Sequence, residues 1–588
     1  MKKKRFIISS SIELLVPKYD QDLIFLGDWC FTNLNRKKFA QKKIKILDYH
    51  WNNSNKLEKD YKYLNKIYKI LSKNLAEFLN LTHKKNFSIK YWEQIFGIWL
   101  LRFIIFVYDK YSTVKKISKK QKYFYNFINL DKKFIPNTSS EANYLFQNEY
   151  YNHKIFSKIL FKLRPKISFI EKRDKSIKSK FSNPKINFSY ILRSLSFLSN
   201  FKKIKNEIFI IHSYLSFYKE ILLQLFFNGF PKINYCEKIS KKFLIIHKIR
   251  KKNLKNKTKD PFLKLISELI IKNIPASYLE GYDFLKRKTI KYNWPTNPKA
   301  VLTANAHFNF DVFKFWLADK REKNVKLIVS QHGAGYLFSK FHSDYDLDIN
   351  NCNYFLSWGK KNFLDKKILP GFNLRLKKKF KQVKKENILF IQHFPYKYTT
   401  RLVINDHNFS NIISNLDNQK KIINELNKNI TNPIKIRLFS SKNFYPDIHN
   451  YEKDKWGDYL DKHIFETRDV PIENSISNSK IVIINTLHST LFFECLSSNI
   501  PCFIFSNFSL KHIKKECRKD FLNLKNVGII QNNPLDFANF LNKNIQNIDT
   551  WWNGKKISYI KNNFITNYCF YEKSPIKSIS KNLNKIKL

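Results

Sequence analysis

The segment 329–336, VSQHGAGY, joins an apolar run typical of a buried strand to two glycines separated by one residue. Glycines at the end of a strand let the backbone approach a ligand closely, and His332 could hydrogen-bond or protonate a phosphate or a leaving oxygen. The segment lacks the Lys and the Ser or Thr of a phosphate-binding loop, so it does not indicate an ATPase. A turn with a satisfied histidine is the alternative, but clustered polar residues at a strand end favour a binding site. Its candidate residues are Gln331, His332, Gly333 and Gly335.

A second polar segment, 303–309 (TANAHFN), also follows an apolar strand pattern and precedes a helical pattern that begins at Asp311. Asn305 is a candidate for binding a ligand, and His307 is a candidate for catalysis. Asn305 or Asn309 could instead cap the following helix, and the residue types leave both interpretations open.

The apolar strand pattern at 434–438 contains a charged residue, Arg437. Burying an arginine without an anionic partner is costly, so an inward-facing Arg437 predicts either a carboxylate or a ligand phosphate beside it. On a solvated face it would need neither. Lys442 and Arg401 could add positive charge, but in a chain with 108 basic residues neither is specific.

The strongest local signal is the segment 480–490 (KIVIINTLHST), in which an apolar strand ends in amide and hydroxyl side chains before a helix begins. Free N–H groups at the start of a helix, together with hydroxyls, suit an anion. Glu494, one turn into the helix, could accept hydrogen bonds from ribose hydroxyls. Ordinary helix capping would also explain these residues, but the strand 501–506 closes a strand-helix-strand unit that favours a ligand. The candidate binding residues are Asn485, Thr486, His488, Ser489, Thr490 and Glu494.

These motifs require strands that alternate with helices, and such alternation begins near residue 208 in two series separated by the basic segment 374–385. Alternating strands and helices form parallel sheets, which bind ligands at the carboxyl ends of their strands. We therefore predict an α/β fold with two doubly wound, Rossmann-like domains that face each other across a cleft. The expected strands are 208–211, 300–303, 325–330 and 354–357, followed by 388–391, 434–438, 481–484, 502–505 and 527–530.

Long helical patterns dominate the first 200 residues. Apolar residues from Leu57 to Phe78 recur every three or four positions, which indicates one amphipathic helix. Asp28 follows a short apolar run and is a candidate base because of that position. We predict a helical insertion at about 54–200 within an N-terminal domain at 1–373, an exposed loop at 172–185, a C-terminal domain at 386–548 and a helical tail at 549–588.

Composition places the chain among basic globular proteins. Its 588 residues carry a net charge of +61, and a hydrophobic fraction of 43% excludes a disordered chain. Compositional drift toward Lys and Asn accounts for part of the charge, and the rest attracts anions. Seven scattered cysteines without a CxxC pair argue against a disulfide framework or a zinc site. The apolar window 95–108 is too short to span a bilayer and no cleavage site is evident near the N-terminus, so we expect a cytoplasmic protein.

Motifs along nearly the whole chain resemble those of known transferases. The segment 485–490, with Glu494 and the strand entry 499–501, is similar to the nucleotide-sugar-binding half of GT-B glycosyltransferases. More closely, the chain resembles the LIC-type transferase family, whose members are associated with surface-carbohydrate clusters. The motifs that carry this resemblance are FLGDWC at 25–30, YHW at 49–51, DYKYL at 60–64, YW at 91–92, GIWL at 97–100, QHGAGY at 331–336, SWG at 357–359 and WW at 551–552.

The resemblance implies transfer of a sugar from a CMP-, UDP- or GDP-linked donor to a surface polysaccharide or lipid-linked glycan. It implies that Gln331, His332 and Gly333 line the cleft from the N-terminal side. The residues implied to hold the donor from the other side are Arg437, Thr486, Ser489, Thr490 and Glu494. The chain departs from the family pattern at His488, where a small or hydroxyl residue is expected. It also offers three choices, Asp344, Asp346 and Asp348, for an acidic residue after the Gln-His-Gly motif.

We expect transfer without a metal or another cofactor, because no Asp-x-Asp directly follows a strand. Asp20 and Asp22 precede a strand, and we expect the three aspartates at 344–348 in a polar loop, so metal binding there is the less favoured interpretation. The helix N-terminus and Arg437 would stabilise the departing phosphate. A base drawn from His332, His307 or Asp28 would activate the acceptor hydroxyl.

Two alternatives from other functional classes follow from the charge. The +61 net charge and the 16% of aromatic residues would suit a nucleic-acid-binding protein, although no RNP, zinc-finger or helix-turn-helix signature is present. A non-enzymatic scaffold could instead dock basic faces on membranes. We predict no nucleic-acid partner, and peripheral contact with the inner membrane leaflet for an enzyme that uses a lipid-linked acceptor.

Overall fold

Three parallel β-sheets form the framework of the protein. The computed structural model describes residues 3–18, 21–32, 44–164, 166–174, 208–227, 236, 238–292, 294–393, 397–403, 409–426, 428, 430–443 and 446–584. Helices pack against the sheets, and the predicted α/β class with parallel sheets is confirmed.

The first sheet has the strand order β3-β2-β1-β4-β5. Its elements, in chain order, are β1 (Arg5–Ile8), β2 (Asp22–Phe25), β3 (Ile44–Ile46), α1 (Ser54–His83), α2 (Ile89–Lys115), β4 (Phe124–Phe127), α3 (Ser139–Leu145), α4 (Glu149–Leu163) and β5 (Ser168–Glu171). Asn53 caps α1 by accepting from the Lys56 N–H at 2.9 Å, and the predicted apolar face of α1 is buried against α2. Helix α2 has the length and apolarity of a membrane span, but 89% of its most apolar stretch is buried inside the protein.

The range 54–200, for which the sequence predicts a helical insertion, also contains two strands of this sheet. Strands β4 and β5 fall inside that range; β4 pairs in parallel with β1 on one side and with β5 on the other. The sequence conceals them because each has four residues and carries a polar or charged side chain, Asn126 in β4 and Glu171 in β5. Residues 175–200, with most of the predicted loop at 172–185, lie outside the described residues.

The second sheet runs in simple chain order, β10-β9-β8-β7-β6, without the reversal of a doubly wound sheet. Alternation of strands and helices predicts parallel pairing but not this order. Its elements are β6 (Ile208–Ile210), α5 (Phe217–Phe226), α6 (His247–Arg250), α7 (Pro261–Asn273), α8 (Tyr282–Lys291), β7 (Ala300–Thr303), α9 (Ala306–Asn309), α10 (Asp311–Glu322), β8 (Lys326–Ser330), α11 (Ser343–Asn351), β9 (Tyr354–Leu356) and β10 (Ile368–Leu369).

The third sheet has the doubly wound order β13-β12-β11-β14-β15-β16. Its elements and the following helices are β11 (Asn387–Ile391), α12 (Phe409–Leu426), β12 (Ile434–Arg437), α13 (Pro446–Trp456), α14 (Tyr459–Lys462), β13 (Ile464–Glu466), α15 (Ile472–Ser477), β14 (Ser479–Ile484), α16 (Thr490–Ser497), β15 (Cys502–Phe505), α17 (Arg518–Asn526), β16 (Ile530–Gln531), α18 (Pro534–Asn544), α19 (Ile548–Asn553), α20 (Lys555–Tyr568) and α21 (Pro575–Asn584). The strand order reverses between β11 and β14, which is where open parallel sheets bind ligands.

The C-terminal helices connect the second and third sheets. Helix α20 packs against α16 and α17, whereas α21 packs against α5. Between them, Phe570 donates its N–H to the Trp358 carbonyl at 2.8 Å, and Asn373 donates to the Phe570 carbonyl at 2.8 Å. A Cβ at Gly359 would overlap the backbone at Asn567, so this approach needs a glycine.

The segment after β8 also reaches the third sheet. Lys340 donates its N–H to the His512 carbonyl at 2.8 Å, and Lys514 donates to the Phe338 carbonyl at 2.8 Å. These contacts hold the carboxyl ends of the second-sheet strands against those of the third sheet, and we call the space between them the cleft.

Candidate functional site

The loop after β8 is braced by Gln331. Its side-chain oxygen accepts from the Trp358 N–H at 2.9 Å, and its side-chain nitrogen donates to the Gly333 carbonyl at 2.8 Å. The Trp358 indole donates to the Gln331 carbonyl at 2.7 Å. Gln331 is buried, so its amide shapes the loop that presents His332.

His332 lies at one end of a hydrogen-bonded series that includes the predicted catalytic residue His307. The Tyr336 hydroxyl is 2.5 Å from His332 Nε2 and 3.4 Å from Asp348 Oδ2. The other oxygen of Asp348 is 2.8 Å from His307 Nε2. Burial lowers the pKa of His332 to about 3 and raises the pKa of Asp348. The imidazole of His332 is therefore neutral near pH 7, with a carboxyl group two hydrogen bonds away to stabilise it if it gains a proton.

The three aspartates of the 344–348 segment have different partners. Asp344 is buried and accepts from Arg102 at 2.7 Å, and Arg401 NH1 lies 3.5 Å from it. Burial alone would raise the pKa of Asp344, but the two guanidinium groups hold it well below its ordinary value. Asp346 accepts from the Tyr61 hydroxyl. Asp348 is thus the aspartate that reaches His332, through Tyr336.

The opposite wall is formed where β11 and β14 end. Asn485 Oδ1 accepts from the His393 N–H at 2.8 Å, and its Nδ2 donates to Gln392 at 3.2 Å. Thr486 Oγ1 accepts from the His488 N–H at 3.2 Å. Both predicted binding residues therefore shape the loop between β14 and α16.

His488 touches the second-sheet side of the cleft. Its Nε2 lies 3.2 Å from Ser339 Oγ, and its ring lies 6.0 Å from the ring of His342 at an angle of 28°. Burial lowers the pKa of His332, His342, His393 and His488, and the positive charge of Arg401 lowers it further in each. We call these four residues the histidine cluster. Its four side chains are uncharged near pH 7, and all of them are within electrostatic reach of one guanidinium, that of Arg401.

Arg401 is placed in the cleft by the first sheet. The Lys397 ammonium pairs with Glu149 and donates to Thr32 Oγ1 at 2.9 Å. The Tyr398 hydroxyl donates to the same carboxylate at 2.9 Å. The Thr399 hydroxyl lies 2.7 Å from the hydroxyl of Tyr49. These contacts fix the start of the segment 397–403, a few residues before Arg401 reaches Asp344.

The sequence predicts Asn485, Thr486 and His488 but does not predict three other residues of the cleft. Arg401 is not specific in so basic a chain, and no motif marks His342 or His393. One signal was present: Gln392 and His393 follow β11, just as Gln331 and His332 follow β8. Asp28 lies at the end of β2, in the first sheet, whereas His307 and His332 follow strands of the second sheet.

The hydroxyl of Ser489, at the start of α16, is not used to cap the helix. Ser489 precedes the first residue of α16, but its side chain makes no capping hydrogen bond, and 8% of the residue is exposed. The N–H groups of the first turn attract an anion in the same place.

Arg437 is satisfied inside the third sheet. Its guanidinium donates to Glu466 at 2.6 Å, to the Ser475 hydroxyl at 2.7 Å and to the Val470 carbonyl at 2.7 Å. The partner of Arg437 is therefore a protein carboxylate and not the ligand phosphate that the resemblance implies, and the same contacts link β12 to α15.

Glu494 lies on the wall of a separate cavity of about 570 Å³, formed mainly by the basic segment 375–383 and α15. Arg375 Nε is 3.6 Å from the carboxylate and its guanidinium lies over the Tyr214 ring at 5.6 Å. The Tyr214 hydroxyl accepts from Asn305 Nδ2 at 2.8 Å. Asn305 and Glu494 are thus joined through Arg375 and Tyr214. The predicted residues after β8 and β14, with His307, lie on the two walls of the cleft, whereas Arg437 lies inside the third sheet and Asp28 follows β2 of the first.

Burial raises the pKa of Glu494 from its ordinary 4.5 to about 7. Between these two pH values, folding therefore takes up a proton. The Glu494 carboxyl lowers the stability of the fold progressively as the pH rises through this range. We expect Glu494→Gln to unfold like the wild type near pH 4 but to be more stable by about 1–3 kcal/mol near pH 8. Denaturant unfolding at both pH values checks this. Glu386→Gln, at an exposed carboxylate just before β11, should match the wild type at both, and equal pH dependence of the two variants would contradict the assignment.

Gly335 allows the two walls to touch, because a Cβ there would overlap the His488 ring. We expect Gly335→Ala to separate the loops, to cost about 1–3 kcal/mol of stability and to weaken ligand binding in the cleft. Gly333→Ala is the matched control, since its Cβ would lie 3.1 Å from the edge of the Tyr336 ring, which needs to shift only slightly. Thermal unfolding of both variants checks this, and equal stability would show that the contact is not tight.

The described part of the chain contains no group of three His, Cys, Asp or Glu side chains that could hold a metal ion. All seven cysteines are buried thiols.

Three solved structures illustrate the range of similar proteins. The wall teichoic acid polymerase TagF, as a variant soaked with CDPG, has 12% identity and a TM-score of 0.29, over 49% of this chain and 72% of that one. MurG of Acinetobacter baumannii has 11% identity and a TM-score of 0.29, over 56% and 82%. A UDP-N-acetylglucosamine 2-epimerase from Listeria monocytogenes, which its description calls provisional, has 11% identity and a TM-score of 0.34, over 55% and 86%. Likenesses this distant carry no argument about the reaction.

Among curated proteins, none matches this chain. The sequence pattern of a transferase family, in contrast, matches residues 5–583, nearly the whole chain. This agrees with the transferase expected from the sequence, and the chain belongs to the LIC12162 family of transferases.

Proposed function

We propose that the protein is a glycosyltransferase that moves a sugar from a nucleotide-activated donor to a surface polysaccharide or a lipid-linked glycan. The observation that carries the proposal is Arg401, held beside Asp344 among four histidines that are neutral near pH 7. A leaving nucleotide phosphate needs positive charge and hydrogen-bond donors where its own charge develops. A fixed guanidinium and uncharged imidazoles supply both.

The donor would bind on the third-sheet side of the cleft. Its phosphates would lie between Arg401 and the N-terminus of α16, with the Ser489 and Thr490 hydroxyls as further partners. Support comes from the position of both groups beside the point where the strand order reverses between β11 and β14. Glu494, near Asn305 and Arg375, would contact a polar part of the substrate that extends into the separate cavity.

The acceptor hydroxyl would be activated from the second-sheet side. His332 takes the proton as the acceptor oxygen bonds to the sugar carbon, and the bond from that carbon to the phosphate oxygen breaks. The pKa of His332 is low without ligand, but a bound diphosphate favours the imidazolium, and Asp348 supports it through Tyr336. We infer transfer that does not depend on a metal, at the cytoplasmic face of the membrane.

Thermal unfolding with CMP, CDP, UDP, GDP and dTDP tests the proposal. A nucleotide at about 100 times its dissociation constant should stabilise the protein by about 2.7 kcal/mol. Ser489→Ala should weaken that nucleotide about fivefold, the contribution of one hydrogen bond, without lowering unliganded stability, because the side chain caps nothing.

Ser509→Ala is the matched control. Ser509 caps a short turn by accepting from the Lys511 N–H at 3.2 Å, so its loss should lower stability but leave nucleotide binding unchanged. Stabilisation by none of the nucleotides would contradict the proposal.

A further inference from the structure

Helix α5 exposes a continuous apolar stripe. Leu223 on its inner face is buried against Ile579 and Leu583 of α21. The outer face carries six apolar residues at helical spacing, and no polar side chain interrupts them. These residues, the α5 stripe, are Phe217, Tyr218, Ile221, Leu222, Leu225 and Phe226. Four of them are about half exposed or more, from 49% for Leu225 to 67% for Tyr218.

Two basic segments lie beside this stripe. Helix α21 packs against α5 and exposes Lys577 and Lys581. The segment 375–381 is the second. The charge of Lys377 opposes the burial that raises the pKa of Glu220 in α5, and Lys379 lies over the Tyr571 ring at 5.4 Å. The three stretches 217–226, 375–381 and 571–584 contain nine Lys and Arg residues against two Glu.

We propose that the α5 stripe and these basic residues form a surface that docks on an anionic lipid bilayer. An amphipathic helix buries its apolar face at the boundary of head groups and acyl chains, and surrounding lysines bind anionic head groups. A second copy of the chain fits less well. A two-fold contact through this face would bring the same positive charges together.

The placement bears on the reaction and rests on the proposed function. The segment 375–383 that borders the stripe also lines the cavity holding Glu494. A bilayer against α5 would therefore lie beside that cavity, within reach of an acceptor carried on a lipid.

Vesicle sedimentation of the full chain tests the surface. We expect binding to vesicles of equimolar phosphatidylcholine and phosphatidylglycerol, falling with added salt, and little binding to phosphatidylcholine alone. Phe217→Ser with Leu225→Ser should weaken binding about tenfold or more, as should Lys577→Glu with Lys581→Glu. The control is Leu364→Ser, at a 99% exposed leucine just before β10, at the opposite edge of the second sheet from β6.

The outcomes separate this proposal from the proposed function. All variants should keep the wild-type unfolding temperature and the wild-type response to nucleotide. The proposal of a docking surface is wrong if nucleotide binds but the wild type does not bind anionic vesicles. It is also wrong if the variant at Phe217 and Leu225 binds these vesicles as tightly as the wild type. A dimer that this variant dissociates would assign the stripe to self-association instead. Vesicle binding without thermal stabilisation by any nucleotide would support the docking surface and contradict the transferase mechanism.

Discussion

Replacing Glu149 by alanine is expected to lower the free energy of unfolding by about 3–5 kcal/mol, the cost of breaking a buried ion pair. The carboxylate is the common acceptor for Lys397, Tyr398 and the Ser11 N–H. Only 2% of the Lys397 side chain is exposed, so its ammonium would lose its counter-charge without gaining water. Denaturant unfolding followed by tryptophan fluorescence measures the effect, because Trp29 packs 5.9 Å from Tyr398.

The same change should weaken nucleotide binding, since the freed segment no longer holds Arg401 in the cleft. Glu171→Ala is the matched control. It removes an exposed carboxylate from the end of β5 and should change stability by no more than about 0.5 kcal/mol. A loss below about 1 kcal/mol in the Glu149 variant would mean that water replaces the carboxylate and that the pair does not fix the segment.

Replacing Arg401 by methionine is expected to weaken binding of the donor nucleotide by roughly 10- to 100-fold, the range for hydrogen bonds to charged groups. The fold should survive, because Asp344 keeps its contact with Arg102 at 2.7 Å. Removing the cation also raises the pKa of the four clustered histidines toward ordinary values, since its charge lowers all of them. Titration of nucleotide with the purified variant measures the first effect, and NMR titration of the histidine ring protons measures the second.

Two control variants test the interpretation of this result. Arg401→Lys keeps the charge but loses the planar fork, so it should bind more weakly than the wild type and more tightly than the methionine variant. Lys442→Met removes an exposed cation from the same half of the molecule and should bind normally. Nucleotide binding that is equal in the wild type and the Arg401→Met variant would place the phosphates elsewhere.

Local patterns predicted one half of the site better than the other. His332 follows a strand and adjoins two glycines, a combination that is visible within eight residues. Arg401 reaches the cleft because a segment ten residues past β11 is held by Glu149, the first residue of α4, which lies 248 residues from Lys397 in the chain. Such a long-range contact leaves no periodic trace in the sequence.

Residue type alone does not distinguish a side chain that binds a ligand from one that holds a loop in place. Asn485 and Gln331 were expected to contact substrate, and both instead use their amides to fix loops. An amide at a strand end satisfies a backbone group or a ligand equally well, so only the surrounding geometry decides. Strand β4 is hidden for a different reason, because its sequence FYNF lacks the apolar run that predicts the strands of the other sheets.

Two neighbouring passages of the chain link the second and third sheets near Asn373 and Phe570, and a rotation of one sheet against the other would use this point as a hinge. Rotation about it would draw His488 away from Ser339. The first sheet packs against the second through α2 and α10, and Glu149 of α4 binds Lys397 in the segment 397–403. Arg401 would therefore keep its position relative to His332 as the hinge opens. The phosphate partner and the base would then keep their spacing throughout a catalytic cycle, and only the helix that receives the nucleotide would swing.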